Sequence, residues 1–509
     1  MLASLLAVLA GVAALAAWSP AGFAIALVAG VALTLAGGAV VAVEARRRAL
    51  GVADPPGIRP PDARIEAAAG VFVAAFVALV AGAAPGAYFK DGGELAAAAH
   101  SLGVAHPTGF PLFCLAGKGF SLLPAGGVFF RLNALSAAAT ALAAAFAYLL
   151  ARLLSPRSRW SGAAALLAPA GLLGGHAVRL HGTTTEVYAI SLAGLAASLL
   201  AFAVAARRRD ATALALGWLL TGLGAGGHVT WPIYASMTGI VVTALTLGAW
   251  KGRRASILGA SALLAVAAAL SVLYLPAAAG RDPVVNWGDP SSAAAMLDHL
   301  TGRRIRESFA GEIGQFRWGL FRAHLVEVFR VAWQGTGPLW PLAAAGMLAA
   351  VVRERAFAAC AAGIVAADWL YSARINPMGV HDLQTLQPAT LCVSVLAATA
   401  IARLMSMGKG SGTLAGGLAA AAALAVGMQW GGSPGERGLA HVHAPREVAA
   451  ALLGAVEPGA TVFTTSDDLS AGVAAAQAVE GARPDVLSVV KQHLSDGAYV
   501  ARKVRAHRA

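Results

Sequence analysis

Long uncharged apolar runs recur along most of this 509-residue chain. A helix that crosses the hydrocarbon core of a bilayer needs about 20 such residues in succession. The runs are apolar on every face, whereas a helix on the surface of a soluble protein is apolar along one stripe. Charged residues make up 12% of the chain, about half the share that is typical of soluble domains. The sequence therefore predicts an all-α polytopic membrane protein rather than a soluble helical solenoid.

About thirteen transmembrane helices are predicted. The first two form a hairpin (1–45) rather than a cleaved signal peptide, because no basic segment precedes the first run. A cytoplasmic linker (46–68), a transmembrane domain (69–430) and a tail domain (431–509) follow. The predicted spans are 2–18, 22–43, 69–86, 128–154, 161–178, 187–206, 211–227, 231–249, 255–279, 336–352, 356–372, 388–404 and 413–430.

Clusters of arginine and lysine predict the orientation of the chain. They fall in alternate connections between the predicted spans, and the positive-inside rule places such connections in the cytoplasm. The clusters also account for much of the net charge of +13, so no nucleic-acid partner is expected. The other connections, including residues 87–127, 280–335 and 373–387, are then extracytoplasmic, as is the tail. The clusters are Arg46, Arg47 and Arg48; Arg152, Arg157 and Arg159; Arg207, Arg208 and Arg209; Lys251, Arg253 and Arg254; Arg353 and Arg355; and Arg403 and Lys409.

The first large external loop concentrates titratable side chains directly after an apolar run. In its "DGGE" stretch, Gly92 and Gly93 allow a sharp turn into a helix that is predicted to begin near Glu94. Asp91 or Glu94 could deprotonate or orient a substrate hydroxyl, and His106 could bind beside them. The alternative is structural: Asp91 and Glu94 have the spacing of a helix capping box, and His106 would be a turn residue.

Two further external connections carry candidate binding residues. "HGTTTEVYAI" places Glu186 and Tyr188 at the start of a predicted span, and "GGHVTWP" places His228 in a tight turn. Ionisable residues at the ends of membrane spans are candidates for function. Alternatively, Glu186 stabilises the positive end of its helix dipole, and His228 belongs to a turn that Trp231 anchors at the interface.

The external loop at 280–335 is rich in arginine. Arginine binds phosphate in a bidentate manner, so Arg303, Arg304 and Arg306 are candidate phosphate ligands. Alternatively, they belong to an amphipathic helix that binds anionic lipid headgroups. The rigid turn before them supplies Asn286, Trp287 and Asp289 as further candidates. The arginines of the loop are Arg281, Arg303, Arg304, Arg306, Arg317, Arg322 and Arg330.

His381 and Asp382 lie beside the start of the span at 388–404 and could contact a phosphate or a metal ion. Two neighbouring residues are too few for a metal site, so no required metal or cofactor is predicted. The cysteines at 114, 360 and 392 have no metal-ligand spacing. No glycine-rich phosphate fingerprint follows a strand, which disfavours a cytosolic nucleotide site.

The tail is predicted to be a small α/β domain. Its pattern is a helix, a strand at Thr461–Thr465, a second helix after Asp467 and Asp468, and a strand at Val486–Val490. The two aspartates either contact a substrate or simply begin the second helix.

The stretch "DGGELAAAAHSLGVAHPTGFPLF" resembles the signature of a bacterial membrane family that is related to the eukaryotic plexin-type protein O-mannosyltransferase and groups with the GT-C glycosyltransferases. The family typically has Asp-Ser-Gly-Glu and then His-Pro-Pro-Gly-Tyr-Pro, so Gly92, Thr108 and Phe110 depart from it. Four later blocks and part of the tail resemble the family in the same order. They are "RLNALSA", "TEVYAI", "GGHVTWPIYA", "NWGDPSSAAAMLDHLTGRR" and "EGARPDVLSVV".

The resemblance implies a GT-C-like catalytic domain at 69–430 in the bacterial inner membrane, with its active site and tail on the extracytoplasmic side. It implies a polyprenyl-phosphate sugar as donor, a protein or glycan hydroxyl as acceptor, and Asp91 as the catalytic base with Glu94 as second candidate. It adds Arg131 and Asn133 to the substrate-binding candidates. The alternative function is a transporter or flippase, which would need charges at mid-span.

Overall fold

The computed structural model describes residues 65–308, 310, 315–407, 413, 416–420, 422, 439–494 and 496–508. The spans predicted at 2–18 and 22–43 lie outside these residues, as does most of 413–430. In chain order the helices are α1 (Ile65–Ala81), α2 (Gly92–Ser101), α3 (Pro111–Ser121), α4 (Val128–Leu154), α5 (Ser161–Ala165), α6 (Leu167–Gly174), α7 (His176–Thr183), α8 (Val187–Arg208), α9 (Ala211–Leu223), α10 (Thr230–Thr246), α11 (Arg254–Ala269), α12 (Tyr274–Ala279), α13 (Ala293–Leu300), α14 (Arg303–Ser308), α15 (Trp318–Thr336), α16 (Trp340–Arg353), α17 (Arg355–Leu370), α18 (Met378–His381), α19 (Gln387–Met405), α20 (Ala444–Ala455), α21 (Asp467–Glu480) and α22 (Gly497–Arg508).

Among the described residues, seven helical stretches are long and apolar enough to cross a membrane. A bent pair of helices and two shorter apolar helices accompany them. Every span predicted between residues 69 and 404 falls on one of these elements. The seven stretches are Val128–Leu154, Val187–Arg208, Thr230–Trp250, Arg254–Ala279, Trp318–Val352, Arg355–Ile375 and Gln387–Met405.

The span predicted as continuous at 161–178 is broken in the structure. Ser161–Gly174 and His176–Thr183 meet at an angle of 72°. Gly175 between them has extended backbone, with ψ of 125°, so the helical hydrogen-bond ladder is interrupted there. The predicted single helix was wrong: the uninterrupted apolar run ends before the second helix, which carries His176, Arg179 and His181.

The predicted external loop at 280–335 contains a helix that the sequence analysis missed. α15 covers Trp318–Thr336 and continues through one turn of 3-10 helix into α16. Arg322, Glu327 and Arg330 interrupt its apolar residues, so the segment has no uncharged run that would predict a membrane span. The span predicted at 336–352 is therefore the second half of a longer helical stretch.

α4 lies at the centre of the bundle. Of its most apolar 18 residues, 83% are buried. The helix packs against α1, α8 and α19. Alanine dominates its sequence, from Ala137 to Ala147 in particular. Small side chains allow helix backbones in a membrane to approach closely, and this explains why an alanine-rich helix occupies the core.

The basic connections of the described residues gather at one end of the bundle. Arg207 at the end of α8 donates to the Leu154 carbonyl, at the end of α4, and pairs with Glu354 between α16 and α17. Arg209 donates to the Leu245 carbonyl at the end of α10. This end is opposite to the one at which α4 and α8 begin, as the alternation of basic connections predicts.

The tail forms the predicted α/β unit. α20, β1 (Thr461–Thr464), α21 and β2 (Leu487–Val490) follow one another, and the two strands pair in parallel. α21 packs directly against α2, and Ala475 of α21 is buried in the same apolar cluster as Leu95 of α2. The tail is therefore joined to the helix that carries the "DGGE" stretch.

Candidate active site

The two carboxylates of the "DGGE" stretch do not form a capping box. α2 begins at Gly92, and Asp91 precedes it with helical backbone and no side-chain bond to the first helical amides. Its Oδ2 instead accepts a hydrogen bond from Nε2 of Gln384 at 3.3 Å. Glu94 turns toward the loop that follows α2. The alternative in which Asp91 and Glu94 serve only to cap the helix is therefore wrong.

Glu94 holds His106 at two points. Its Oε1 accepts from the His106 amide at 3.0 Å, and its Oε2 lies 2.8 Å from the ring Nδ1. The other ring nitrogen, Nε2, lies 3.9 Å from Oδ2 of Asp91. Burial lowers the pKa of His106, but the charges of Asp91 and Glu94 and the Glu94 hydrogen bond outweigh it and raise the pKa to about 9. His106 is thus an imidazolium between two carboxylates at neutral pH.

Glu186, at the start of α8, forms a cluster with Asp91, Glu94 and His106. The segment before it is fixed because Oγ1 of Thr185 donates to Asn133 at 2.6 Å and the Asn133 amide donates to the Ala84 carbonyl at 2.6 Å. Glu186 is 5% exposed, and its Oε2 has no hydrogen-bond partner among the described residues. Burial, followed by the charge of Asp91, raises its pKa well above the usual range. Burial thus favours the protonated form of Glu186, which can donate a hydrogen bond.

Aromatic rings form the side of the cluster that faces the bundle. The ring of His228 lies 5.0 Å from Tyr188, 6.3 Å from Tyr371 and 6.5 Å from Phe110, measured between centroids. Burial, followed by the charge of His106, lowers the pKa of His228 to about 4. The neutral His228 thus lies among neutral rings, beside the charged group of Asp91, Glu94 and His106.

The structure adds a cation and an amide that were not among the predicted site residues. Nζ of Lys90 lies 2.6 Å from Oδ1 of Asp382, and Gln384 reaches Asp91 as described above. Lys90 adjoins Asp91 in sequence, but its partner is 292 residues away. Lys90 could have been predicted as a site residue because it is a charged residue directly before "DGGE". Nothing in the sequence predicted Gln384.

Several non-glycine residues around the site have left-handed backbone. They include Lys90 (φ 65°), Phe110 (φ 44°), Leu383 (φ 60°) and Leu386 (φ 70°). Such conformations cost free energy and persist where the surrounding structure enforces them, which is common at functional sites. The three chain segments that meet at Asp91 are therefore held in specific, unfavourable conformations.

The tail reaches the site through the start of α21. The backbone amide of Lys90 donates to Oδ1 of Asp468. Burial, followed by the negative charges of Asp91 and Asp468, raises the pKa of Asp467. Asp467 and Asp468 begin the helix, as one alternative predicted, and they also lie beside the carboxylate cluster.

Two predicted binding residues make hydrogen bonds within the protein. Arg131 donates to the backbone carbonyls of Ser121, Ala125 and Gly126, and so fixes the turn before α4. Asn133 is fully buried and supports the segment before Glu186. Their predicted contact with substrate stays a prediction.

Asn286, Trp287 and Asp289 form a support for the loop that carries His106. Val104 pairs with this segment in a parallel β-bridge, and the Trp287 amide donates to the Val104 carbonyl at 3.1 Å. The Trp287 ring packs edge-on against His493 of the tail, with centroids 4.5 Å apart. The segment thus lies at the same end of the bundle as Asp91, as predicted. Asn286 donates to Asp289 at 3.3 Å, and its buried Oδ1 has no hydrogen-bond partner among the described residues, so contact with substrate stays a prediction.

The predicted phosphate ligands have acidic partners. Arg303 lies 2.8 Å from Asp298, and Arg304 pairs with Asp496 of the tail. Arg306 is exposed. His381 is exposed as well, with Nδ1 3.7 Å from Glu327. A phosphate would have to displace the acids at Arg303 and Arg304, so their role as phosphate ligands stays a prediction.

No group of three or more His, Cys, Asp or Glu side chains is arranged to hold a metal ion within the described part of the chain. His106 occupies the space between Asp91 and Glu94, and its positive charge takes the place that a cation would have between two carboxylates.

Comparisons with known proteins agree with this geometry. Residues 91–250 match the family model described as the protein O-mannosyl-transferase TMEM260 N-terminal domain. A stretch of 59 residues is 49% identical to the protein O-mannosyl-transferase TMEM260 of Mus musculus, which is 11% of this chain and 8% of that relative's length. The solved structure of ArnT from Cupriavidus metallidurans bound to undecaprenyl phosphate has a similar fold, with a TM-score of 0.52 and 14% identity over 83% of this chain and 89% of that chain.

The matched segment begins at Asp91 and contains Glu94, His106, Glu186 and His228, so it includes most of the cluster. The resemblance expected from the sequence is confirmed: residues 91–250 are similar to the N-terminal domain of the protein O-mannosyl-transferase TMEM260, and the fold of the chain is similar to that of ArnT.

Proposed function

We propose that this protein is an integral membrane glycosyltransferase that moves a sugar from a polyprenyl-phosphate carrier to an acceptor hydroxyl outside the cytoplasm. The observation that carries the proposal is the Asp91–Glu94–His106–Glu186 cluster at one end of an ArnT-like bundle. The curated relative is named as a protein O-mannosyl-transferase, and ArnT was solved with undecaprenyl phosphate bound. The first supports transfer of a sugar to a hydroxyl oxygen, and the second supports a polyprenyl-phosphate carrier.

Asp91 is the carboxylate that is free to act as base. Both oxygens of Glu94 are engaged by His106, whereas the Asp91 side chain is 33% exposed and accepts one weak hydrogen bond. In the reaction, the acceptor oxygen bonds to the anomeric carbon of the sugar, and its proton passes to Asp91. The bond between that carbon and the phosphate oxygen breaks, and the polyprenyl phosphate leaves with the electron pair.

The other groups of the cluster have complementary roles. His106 contacts Asp91 and Glu94, and Lys90, directly before Asp91, pairs with Asp382. These two cations beside the site offset the charge of a leaving phosphate. Glu186, whose buried Oε2 has no hydrogen-bond partner among the described residues, and the neutral ring of His228 suit hydrogen bonds to uncharged hydroxyl groups. Glu94 keeps His106 charged and oriented.

The acceptor is proposed to be a hydroxyl group on a protein or a glycan. We place the active site and the tail on the extracytoplasmic side of a bacterial inner membrane, because the basic connections gather at the other end of the bundle.

The alternative function, a transporter, would use charged residues in the middle of its membrane spans. Asp368 comes closest to such a residue, but its carboxylate accepts hydrogen bonds from the Ala389 amide and the Tyr234 hydroxyl within the bundle. This arrangement fits a structural role.

Substitution of Asp91 by Asn tests the proposal. Asn keeps the size and the hydrogen bond to Gln384 but cannot accept a proton, so we expect turnover of a polyprenyl-phospho-sugar to fall by about 100-fold or more. The measurement is sugar transfer by purified protein in detergent. The matched control is Glu457→Gln, an exposed acid of the tail, which should retain activity. Full activity of Asp91→Asn would rule out this assignment of the base.

A further inference from the structure

The backbone at Lys90 is held by residues from distant parts of the chain. Lys90 has left-handed backbone, with φ of 65°, which is unfavourable for a side chain other than Gly or Asn. Its amide donates to Asp468 and its Nζ pairs with Asp382. The next residue is Asp91, so the backbone at Lys90 determines where the Asp91 carboxylate lies.

The tail that supplies Asp468 is docked rigidly on this region. Gly93 packs so closely on α21 that a Cβ at Gly93 would overlap the carbonyl oxygen of Ala471. Ala475 is 1% exposed and is buried against α2. Arg446 at the start of α20 also packs on Gly86, just ahead of Lys90. Asp468 therefore has a fixed position relative to α2.

A second contact fixes the other end of the tail. Arg502 of α22 donates to the Asn286 carbonyl at 2.6 Å and lies 3.7 Å from Asp289. Asn286 belongs to the segment that pairs with Val104, two residues before His106. The tail thus supports both the backbone before Asp91 and the loop that carries His106.

We propose that Asp468 is a positioning residue for Asp91, and that the C-terminal α/β domain is in this way a structural part of the active site. The kinetic consequence rests on the proposed function. Asp468 accepts the Lys90 amide and so stabilises the left-handed backbone that aims Asp91. A displacement of about 1 Å of a catalytic group can reduce turnover by about 100-fold.

The test compares Asp468→Ala with Asp468→Asn in the full-length protein. Asn retains an oxygen that can accept the Lys90 amide, whereas Ala has none. We expect kcat to fall by about 100-fold in Asp468→Ala, with little change in KM for the lipid-linked donor. Asp468→Asn should stay within about threefold of the wild type. The control is Glu447→Ala, an exposed acid of the same domain, which should behave as the wild type.

Hydrogen exchange of the peptide at residues 88–95, followed by mass spectrometry, provides a readout that does not need activity. Exchange should be about tenfold faster in Asp468→Ala and unchanged in Asp468→Asn. If Asp468→Ala fails to fold, Asp468→Glu replaces it, since the longer side chain misplaces the oxygen. Unchanged exchange in Asp468→Ala, or equal losses of kcat in the Ala and Asn variants, would overturn the proposal. A wild-type protein that transfers no sugar would instead overturn the glycosyltransferase function, and the exchange experiment would still decide the role of Asp468.

Discussion

His106 shows how one residue can be assigned only from its neighbours. As a single histidine in a turn it carries little information about function. In the structure its ring lies between Glu94, at 2.8 Å, and Asp91, at 3.9 Å, and it is 18% exposed. Its charge therefore depends on two acids, and the arrangement of those acids depends on its charge.

The stability of the protein should depend on the charge of His106. Its pKa is raised from 6.5 to about 9, so the folded state binds this proton more tightly than the unfolded state. The stabilisation is present below about pH 6.5, is on the order of 3 kcal/mol, and is lost as the pH rises through about 9. We expect the wild-type melting temperature in detergent to fall over this range.

Glu94→Gln provides the comparison for this prediction. The glutamine can still bond to the His106 ring but carries no charge, so the pKa of His106 should move back toward its usual value. The variant should be less stable near pH 6.5 and should lose less stability between pH 6.5 and 9 than the wild type. An identical decline in both proteins would contradict the assigned pair.

Single residues could be identified as candidates from the sequence, but their roles could not be assigned. Asp91 and Glu94 follow an apolar run, and this position identified them as candidates for chemistry. The same spacing also fits a capping box, and the two possibilities differ only in where the side chains point. Their direction is set by Gln384 and His106, and the first of these lies 293 residues from Asp91.

At the scale of elements, the contact between α2 and α21 controls how the tail docks. Gly93 is buried in this contact, against the backbone of Ala471. Backbone atoms cannot rotate away as a side chain can, so a larger residue must push the two helices apart.

Gly93→Ala should separate α21 from α2. The overlap of the new methyl group with the Ala471 carbonyl should destabilise the protein by about 1–3 kcal/mol and lower the melting temperature. The matched control is Gly70→Ala in α1, where a Cβ meets no atom within 4 Å and the higher helix propensity of alanine should leave stability unchanged or slightly raised. Equal melting temperatures for the two variants would show that the helices are not in close contact.

The sequence predicted which segments are helical spans better than it predicted their breaks. Apolar runs between residues 69 and 404 all fall on apolar helices, because any chain segment in a bilayer must satisfy its own backbone hydrogen bonds. The bend at Gly175 and the early start of α15 at Trp318 were missed. A bend is set by packing against neighbouring helices, which the local composition does not record.

At the scale of the whole molecule, acids and basic connections occupy opposite ends of the bundle. The Asp91 cluster, the segment at Asn286 and the tail contact one another at one end. Arg207 and Glu354 pair at the other end. This separation agrees with the orientation predicted from the positive-inside rule.

Cysteine labelling of intact cells can test the orientation. The native cysteines at 114, 360 and 392 are buried, so background labelling should be low. We expect a membrane-impermeant maleimide to label Ser291→Cys and Glu447→Cys from outside, because both positions are exposed at the end with Asp91. Lys251→Cys, exposed at the other end, should be labelled only after the membrane is permeabilised. Labelling of all three variants from one side would contradict the orientation.

The sequence by itself predicted that this protein spans a membrane and which segments of the chain carry its polar residues. Apolar runs require a bilayer, basic clusters predict the orientation, and the residues that remain polar outside the spans are the candidates for function. These properties follow from the transfer of each segment between water and lipid, which depends on composition alone.

Only the tertiary structure decided which of those polar residues act together. It brought Gln384 to Asp91, and Asp382 and Asp468 to the adjoining Lys90. It also paired Arg303 and Arg304 with acids that the sequence did not connect to them. Charge interactions and hydrogen bonds act over a few ångströms, and residues hundreds of positions apart reach that distance only when the helices have packed.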